Sequence, residues 1–286
     1  MQKGETMFNN QLKTILFISI LTGLLLGIGQ LIGGKAGLTI ALIFAVGFNG
    51  LMYFFSHKIV LFMYKAKEAD KTKYKELYKA VREIADLAVI PMPKVYIIPT
   101  EQANAFASGR NPKNAIVACT EGIMKMLTHE ELKGVLAHEI SHVKNRDILI
   151  TTIAATVAGV ISYLGAMARW SAIFGGDDDR GSNVIELLVI GILTPLLALV
   201  IQLAISRSRE YLADESGAKL LGNGEPLARA LEKIEASVKH NPMQLGNPTT
   251  SSLFIANPFK SENLFVLLST HPATSKRTAK LRAMRF

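Results

Sequence analysis

The chain has 286 residues, 49% of them hydrophobic, and a net charge of +9 from 32 Lys and Arg against 23 Asp and Glu. That length allows one or two domains, and the hydrophobic share is high for a soluble protein, which directs attention to membrane spans. One cysteine, Cys119, rules out an internal disulfide and reads as a buried thiol; no basic face interleaved with aromatics accompanies the charge, so no nucleic-acid partner is expected.

Thr14 to Ile32 is almost unbroken apolar sequence ending in Gly33-Gly34-Lys35, and Ala36 to Phe55 is a second such run. Each is about 30 Å long as a helix, the thickness of a bilayer core. The pair predicts a membrane hairpin with a very short turn, placed in an N-terminal unit of residues 1–56. No A-x-A-like site separates the runs, so the first is not read as a cleavable signal peptide.

Residues 57–147 form a polar region. Leu77, Val81, Ile84 and Leu87 recur at helical spacing within Tyr74–Ala88, and Pro91 and Pro93 follow. Val95–Ile98 and Ala115–Cys119 are β-rich, Asn104–Ala107 is a short strand candidate, and residues 109–114 are a turn cluster. A small sheet with one hairpin is expected just before the next helix.

That helix carries His138-Glu139-Ile140-Ser141-His142. On a helix His138 and His142 are one turn apart and share a face, so both imidazoles can reach one ion. Glu139 lies beside them and can reach a water on that ion without ligating it. Two neutral nitrogens, one base and an open position are what metal-assisted peptide hydrolysis requires. Thr128 and Glu131 have capping-box spacing, and Leu132, Leu136, Ile140 and Val143 form an apolar stripe roughly opposite the histidines.

Ile148–Ala168 and Leu187–Ile205 read as a second membrane hairpin within residues 148–205, joined by a hydrophilic loop with Asp177-Asp178-Asp179. Residues 206–286 are polar again, with 241–258 reading as loop. Basic residues crowd the 57–147 region and the tail, whereas the short turn and the aspartate loop hold few. By the positive-inside pattern, both polar regions and both termini are expected in the cytoplasm of a multi-pass protein of the cell membrane. The excess charge then reads as topology and attraction to anionic lipid.

Two histidines leave zinc short of a protein ligand. Glu210 and Asp214, directly after the fourth run, are i, i+4 and face one way. Spacing alone leaves two readings open: one carboxylate on the metal and the other orienting a histidine, or a solvated face paired with Arg207 or Arg209. His57, His129 and His240 have no such context and are expected at the surface.

The run H-E-I-S-H-V-K-N-R-D followed by S-R-S-R-E-Y-L-A-D-E resembles the membrane zinc metalloproteases of the HtpX heat-shock family, gluzincins related to the prenyl-protein CaaX endoproteases. The resemblance spans nearly the whole chain: two leading spans, Asn104-Ala105-Phe106-Ala107, the zinc helix, two more spans, Glu210 with Asp214, and a closing His271-Pro272 with Arg277. It implies a mostly α, α+β fold, with four transmembrane helices and a cytoplasmic gluzincin-type domain carrying the small sheet. It implies one Zn²⁺ per chain on His138, His142 and Glu210, with Glu139 as general base and Asp214 behind a ligand. His271 is implied as a donor to the oxyanion, and Arg277 as holding the ligand carboxylates or the oxyanion. Asn104, Ala105, Phe106 and Ala107 match the family's edge strand, which pairs with an extended substrate backbone. The implied activity is quality control of misfolded or damaged membrane proteins, cut on the cytoplasmic side. Two alternatives are a CaaX-type processing protease, whose relatives have more spans than four, and a non-enzymatic scaffold with a vestigial zinc site.

Overall fold

A computed structural model describes residues 2–145, 207–240, 254–255 and 272–286. The third and fourth expected spans, the aspartate loop and His271 lie outside the described residues. What is described is mostly helical, with one small mixed sheet.

Helix α1, Gln2–Met63, takes in both leading apolar runs. Its backbone leaves helical geometry only at Gly33 and Gly34, between the runs, and the positive φ of 55° at Gly34 is one that glycine tolerates. Among the described residues no single straight helix is long and apolar enough to cross a membrane. One bent pair, Gly33–Phe48 with Tyr53–Met63 at 69°, meets the length and composition together.

The sheet order is β1–β2–β4–β3, with β1 Lys67–Glu68, β2 Lys94–Ile98, β3 Ala105–Ser108 and β4 Ile116–Thr120. β3 and β4 form the expected antiparallel hairpin, in register Ala105 to Cys119 and Ala107 to Val117. β2 and β4 run parallel, and the two-residue β1 pairs with β2; neither pairing was foreseen. β3 is thus an edge strand. Its four side chains, like the five of β4, are buried, so these short runs are covered on both faces and show no alternation.

Helix α2, Lys75–Ala88, buries Leu77, Val81 and Ile84 as the spacing predicts, together with Ala80, Ala85 and Ala88. Leu87 departs from the expected stripe and is exposed, because position 87 is rotated off the face set by 77, 81, 84 and 88. The helix ends before the prolines, at Val89, whose left-handed backbone (φ 56°) lets the Ile90 N–H return to the Ala85 carbonyl.

Helices α3, Glu121–Met126, and α4, His129–Asn145, follow the sheet. The α4 capping box is formed as its spacing requires: Thr128 N–H donates to Glu131 Oε2 at 2.9 Å, and Glu131 N–H to Thr128 Oγ1 at 3.3 Å. Leu132, Leu136, Ile140 and Val143 are all buried. α4 is the central element, packed by α2, by β3, and by α5 (Arg207–Leu221) and α6 (Glu225–His240). Ion pairs of 2.7 Å tie it outward, Lys133 to Glu83 on α2 and Lys233 on α6 to Glu131. α7, Thr274–Ala283, closes the fold against α6, with Arg282 paired to Glu225 and Glu232.

Two glycines set the helix spacing. A Cβ at Gly134 would sit 2.6 Å from the Leu227 nitrogen of α6, and one at Gly217 would sit 2.9 Å from the His138 nitrogen. At neither place is there room for a side chain, so α5 and α6 lie directly on the α4 backbone.

Candidate metal centre

The contact at Gly217 explains the geometry of the centre. Residues 210, 214 and 217 recur at i, i+4 and i+7 and so share one stripe of α5. Where glycine lets α5 touch the α4 backbone at His138, the two carboxylates one and two turns earlier meet the histidine face. One ligand atom each from His138, His142 and Glu210 all lie within 4.8 Å of one another. Glu210 Oε1 is 3.5 Å from His142 Nε2, and its Oε2 is 3.8 Å from His138 Nε2. The two Nε2 atoms are 3.2 Å apart, with the rings at 89°. Two imidazole nitrogens and a carboxylate oxygen turned toward one point are a donor set that suits zinc, with a position left open. Both Glu210 and Arg209 are buried, which excludes the solvated-face alternative.

A second layer fixes His138. Its Nδ1 is 2.9 Å from Asp214 Oδ1, so the ring donates there and keeps Nε2 free as a ligand. Burial pulls the His138 pKa down, and Arg277 nearby adds to this against the opposing pull of Asp214; the neutral, metal-competent form results. Arg277 is buried and donates from Nε to Asp214 Oδ2 at 2.9 Å and from Nη2 to Asp214 Oδ1 at 2.7 Å. Burial alone would push the Asp214 carboxyl up, but the Arg277 guanidinium and the His138 ring hold it below the usual range. The third Arg277 nitrogen donates to the Ile255 carbonyl at 2.9 Å and lies 3.7 Å from Glu210 Oε2. Of the two roles implied for Arg277, holding the carboxylates matches this geometry, since Nε and Nη2 donate to Asp214 and Nη1 lies beside Glu210.

Glu139 lies beside the ligands and is buried. Its Oε2 accepts the Ala107 N–H of β3 at 2.8 Å. Burial pushes its carboxyl up to about 8, against the pull of His142 and the Ala107 amide. A dication a few ångströms away would draw it back down and favour the carboxylate, the form that can act as a base.

Asn104 does not join β3; it braces the strand. Its amide oxygen accepts the Ala105 N–H, and its backbone and Thr120 exchange hydrogen bonds. Ala105 and Ala107 present backbone groups on the outer edge, where the Ile255 N–H already reaches the Ala105 carbonyl at 3.2 Å. A peptide adding to this edge competes with Ile255 at Ala105 and with Glu139 at Ala107. Phe106 turns into an aromatic cluster with Tyr64 at the end of α1 and Phe254. The contributions of Ile255 and Gly217, and the bond from the Ala107 amide to Glu139, went unread in the sequence. Only Gly217 left a signal there, as a small residue continuing the carboxylate stripe.

Residues 71–285 match peptidase family M48. The chain is 53% identical over 276 residues to a protein named Protease HtpX homolog from Thermodesulfovibrio yellowstonii, covering 96% of this chain and 98% of the relative. It is 52% identical over 272 residues to another of that name from Pyrococcus furiosus, covering 94% of each. Among solved structures it resembles Ste24p of S. mikatae with a TM-score of 0.51 and 21% identity; the match covers 97% of this chain but 66% of that one, and bears on the fold alone.

Proposed function

The chain belongs to peptidase family M48, and from that premise we propose a zinc-dependent endopeptidase of the membrane that cuts misfolded or damaged membrane proteins at cytoplasmic segments. The observation that carries the proposal is the meeting of His138, His142 and Glu210 around one point with Glu139 alongside. Zinc held there supplies Lewis acidity and brings the pKa of water to about 7.

The chain's own groups then have distinct tasks. Glu139 accepts the proton of the attacking water and returns it to the leaving amine. Ala107 steadies the Glu139 carboxylate through its amide. Asp214, gripped by Arg277, keeps His138 in the tautomer that presents Nε2 to the metal. His271, outside the described residues, is assigned by resemblance as the donor to the developing oxyanion. The β3 edge offers backbone pairing that demands no particular side chain, which suits damaged proteins of many sequences.

Membrane attachment is supported by the exposed apolar side chains of α1, among them Ile40, Ile43 and Val46, each about two-thirds exposed or more. The four-span arrangement, with 1–56 and 148–205 as hairpins and 57–147 and 206–286 as a joint cytoplasmic domain, follows the basic-residue distribution.

The test is casein cleavage by detergent-purified protein, with metal content measured on the same samples. Chelator should abolish cleavage and zinc should restore it. Glu139→Gln should keep the metal and lose about 10²–10⁴-fold in rate. Glu210→Ala should lose both. Cleavage that survives chelation, or near-normal rates in Glu139→Gln, would reject this chemistry.

A further inference from the structure

Where α1 meets the catalytic region, three cations from separate elements converge. Lys58 lies near the end of α1, Lys94 opens β2, and Arg110 sits in the turn after β3. Besides burial, the His57 ring feels Lys58 first, then Arg110 and Lys94, and its buried Nδ1 has no hydrogen-bond partner among the described residues. Among the described residues none of the three cations is paired with an acid. Some surface cations elsewhere have an acid beside them, Lys125 with Glu101, Lys219 with Glu215 and Arg282 with Glu225. Like charges gathered with no acid among the described residues repel, and an anion bound between them relieves that repulsion.

The surroundings specify which anion. Lys58 Nζ stands 5.1 Å from the Phe55 ring centroid and the Arg110 guanidinium 4.9 Å from that of Phe54. Both rings are about half exposed, and Phe62 nearby is 86% exposed. Cationic heads beside exposed aromatic rings, at the end of a long apolar helix, match a phosphate with acyl chains attached. A soluble phosphate would leave the rings in water.

We propose that Lys58, Lys94 and Arg110 bind the phosphate of an anionic membrane lipid, whose chains lie along Phe54, Phe55 and Phe62, and that this contact steadies the β3 edge strand. Arg110 is joined to β3 through Gly109, whose φ is 132° and where a Cβ would sit 2.4 Å from the Asn114 carbonyl oxygen. The turn is therefore tightly held, and a phosphate on Arg110 restrains the strand whose Ala107 amide holds Glu139. The inference rests on the membrane-peptidase reading, with anionic lipid as a regulator of that same site.

The full chain is placed in nanodiscs of phosphatidylcholine with or without phosphatidylglycerol. Native mass spectrometry reads the lipid retained, and hydrogen–deuterium exchange reads the 105–108 amides. Phosphatidylglycerol should be enriched on the wild-type protein and should slow exchange in β3. Lys58→Ala/Lys94→Ala/Arg110→Ala should lose that enrichment, about fivefold per cation removed, and its β3 exchange should not respond to lipid. A variant with the same change in charge, Lys125→Ala/Lys219→Ala/Lys276→Ala, should behave as wild type. Equal enrichment in both triple variants, or no phosphatidylglycerol preference in the wild type, overturns the site. Equal slowing by inorganic phosphate without anionic lipid overturns the lipid assignment. Should the triple variant fail to fold, Lys58→Ala and Arg110→Ala singly carry the same measurements. Casein cleavage is followed in parallel; its absence in every disc would defeat the peptidase reading, while lipid retention still decides the site.

Discussion

Arg277 grips Asp214 with two donors, Nε at 2.9 Å and Nη2 at 2.7 Å, and Asp214 in turn meets His138 Nδ1 at 2.9 Å. α7 is thereby connected to a ligand on α4 through one carboxylate of α5. Removing one partner of a buried pair leaves an uncompensated charge, which costs about 3–5 kcal/mol. Arg277→Ala should therefore lower thermal stability sharply. Asp214→Asn should weaken metal affinity by about 10–100-fold with a smaller loss of stability. Chelator competition and thermal unfolding on the same proteins check both, and unchanged metal affinity in Asp214→Asn would remove Asp214 from the centre.

Gly217→Ala tests the helix contact. Alanine is the better helix former by about 1 kcal/mol, yet its Cβ would meet the His138 nitrogen at 2.9 Å. Overpacking of this kind costs about 1–3 kcal/mol, and parting α5 from α4 draws Glu210 and Asp214 off the histidines. Both stability and metal affinity should fall, while Ser216→Ala changes neither. A more stable Gly217→Ala with full metal affinity would show that close approach is not what places the carboxylates.

Glu131 gives a pH signature. Burial acts to raise its carboxyl, but the Lys233 ammonium and the Thr128 amide outweigh it and hold it below the usual 4.5. A pKa lowered by folding means that the folded state prefers the carboxylate, so the stabilisation is present above 4.5 and fades as pH falls through the folded-state value. Glu131→Gln keeps the cap and removes the charge. It should be less stable than wild type by about 0.5–1 kcal/mol at neutral pH, with the difference shrinking below pH 4.5 in denaturant titrations. A gap that widens in acid would contradict the ion-pair account.

Cys119 should be inert to maleimide in the native protein, being fully buried with its thiol pushed up to about 12 by burial and by the Glu139 charge. Cysteines introduced at Ser182 and Ser261 can therefore be read directly in intact cells. Ser182→Cys should label with an impermeant reagent, and Ser261→Cys only after permeabilisation. Labelling of the Ser261 position in intact cells would reverse the orientation. Labelling of neither would leave two true spans instead of four.

How much was legible in the sequence depended on how far each feature reaches along the chain. Histidines four apart with a glutamate between them, the Thr128–Glu131 box and the stripe from Leu132 to Val143 lie within one helix, so spacing alone places them. The Gly33-Gly34 break and the β3–β4 hairpin are equally local. The signals for α6 are local too: Asn223-Gly224 precedes it and Leu227, Leu231 and Ile234 recur at helical spacing, but the charged residues between them made the whole tail read as polar. Leu87 was misplaced because a four-residue stripe tolerates a neighbour that tertiary packing does not.

The pairing of His138 and His142 with Glu139 was written in residue type and helical period, because one turn of helix places them whatever the rest of the chain does. What only the tertiary structure decided depended on contacts between distant segments. These are the parallel pairing of β2 with β4, the Ala107 amide on Glu139, the Ile255 bridge from β3 to Arg277, and the approach of Glu210 to the two histidines, which spacing left open and only the resemblance implied. Backbone amides are the same at every residue, so no side chain announces which will meet a distant carboxylate. That assignment is made when Gly217 lets two helices touch and the sheet edge closes over the centre.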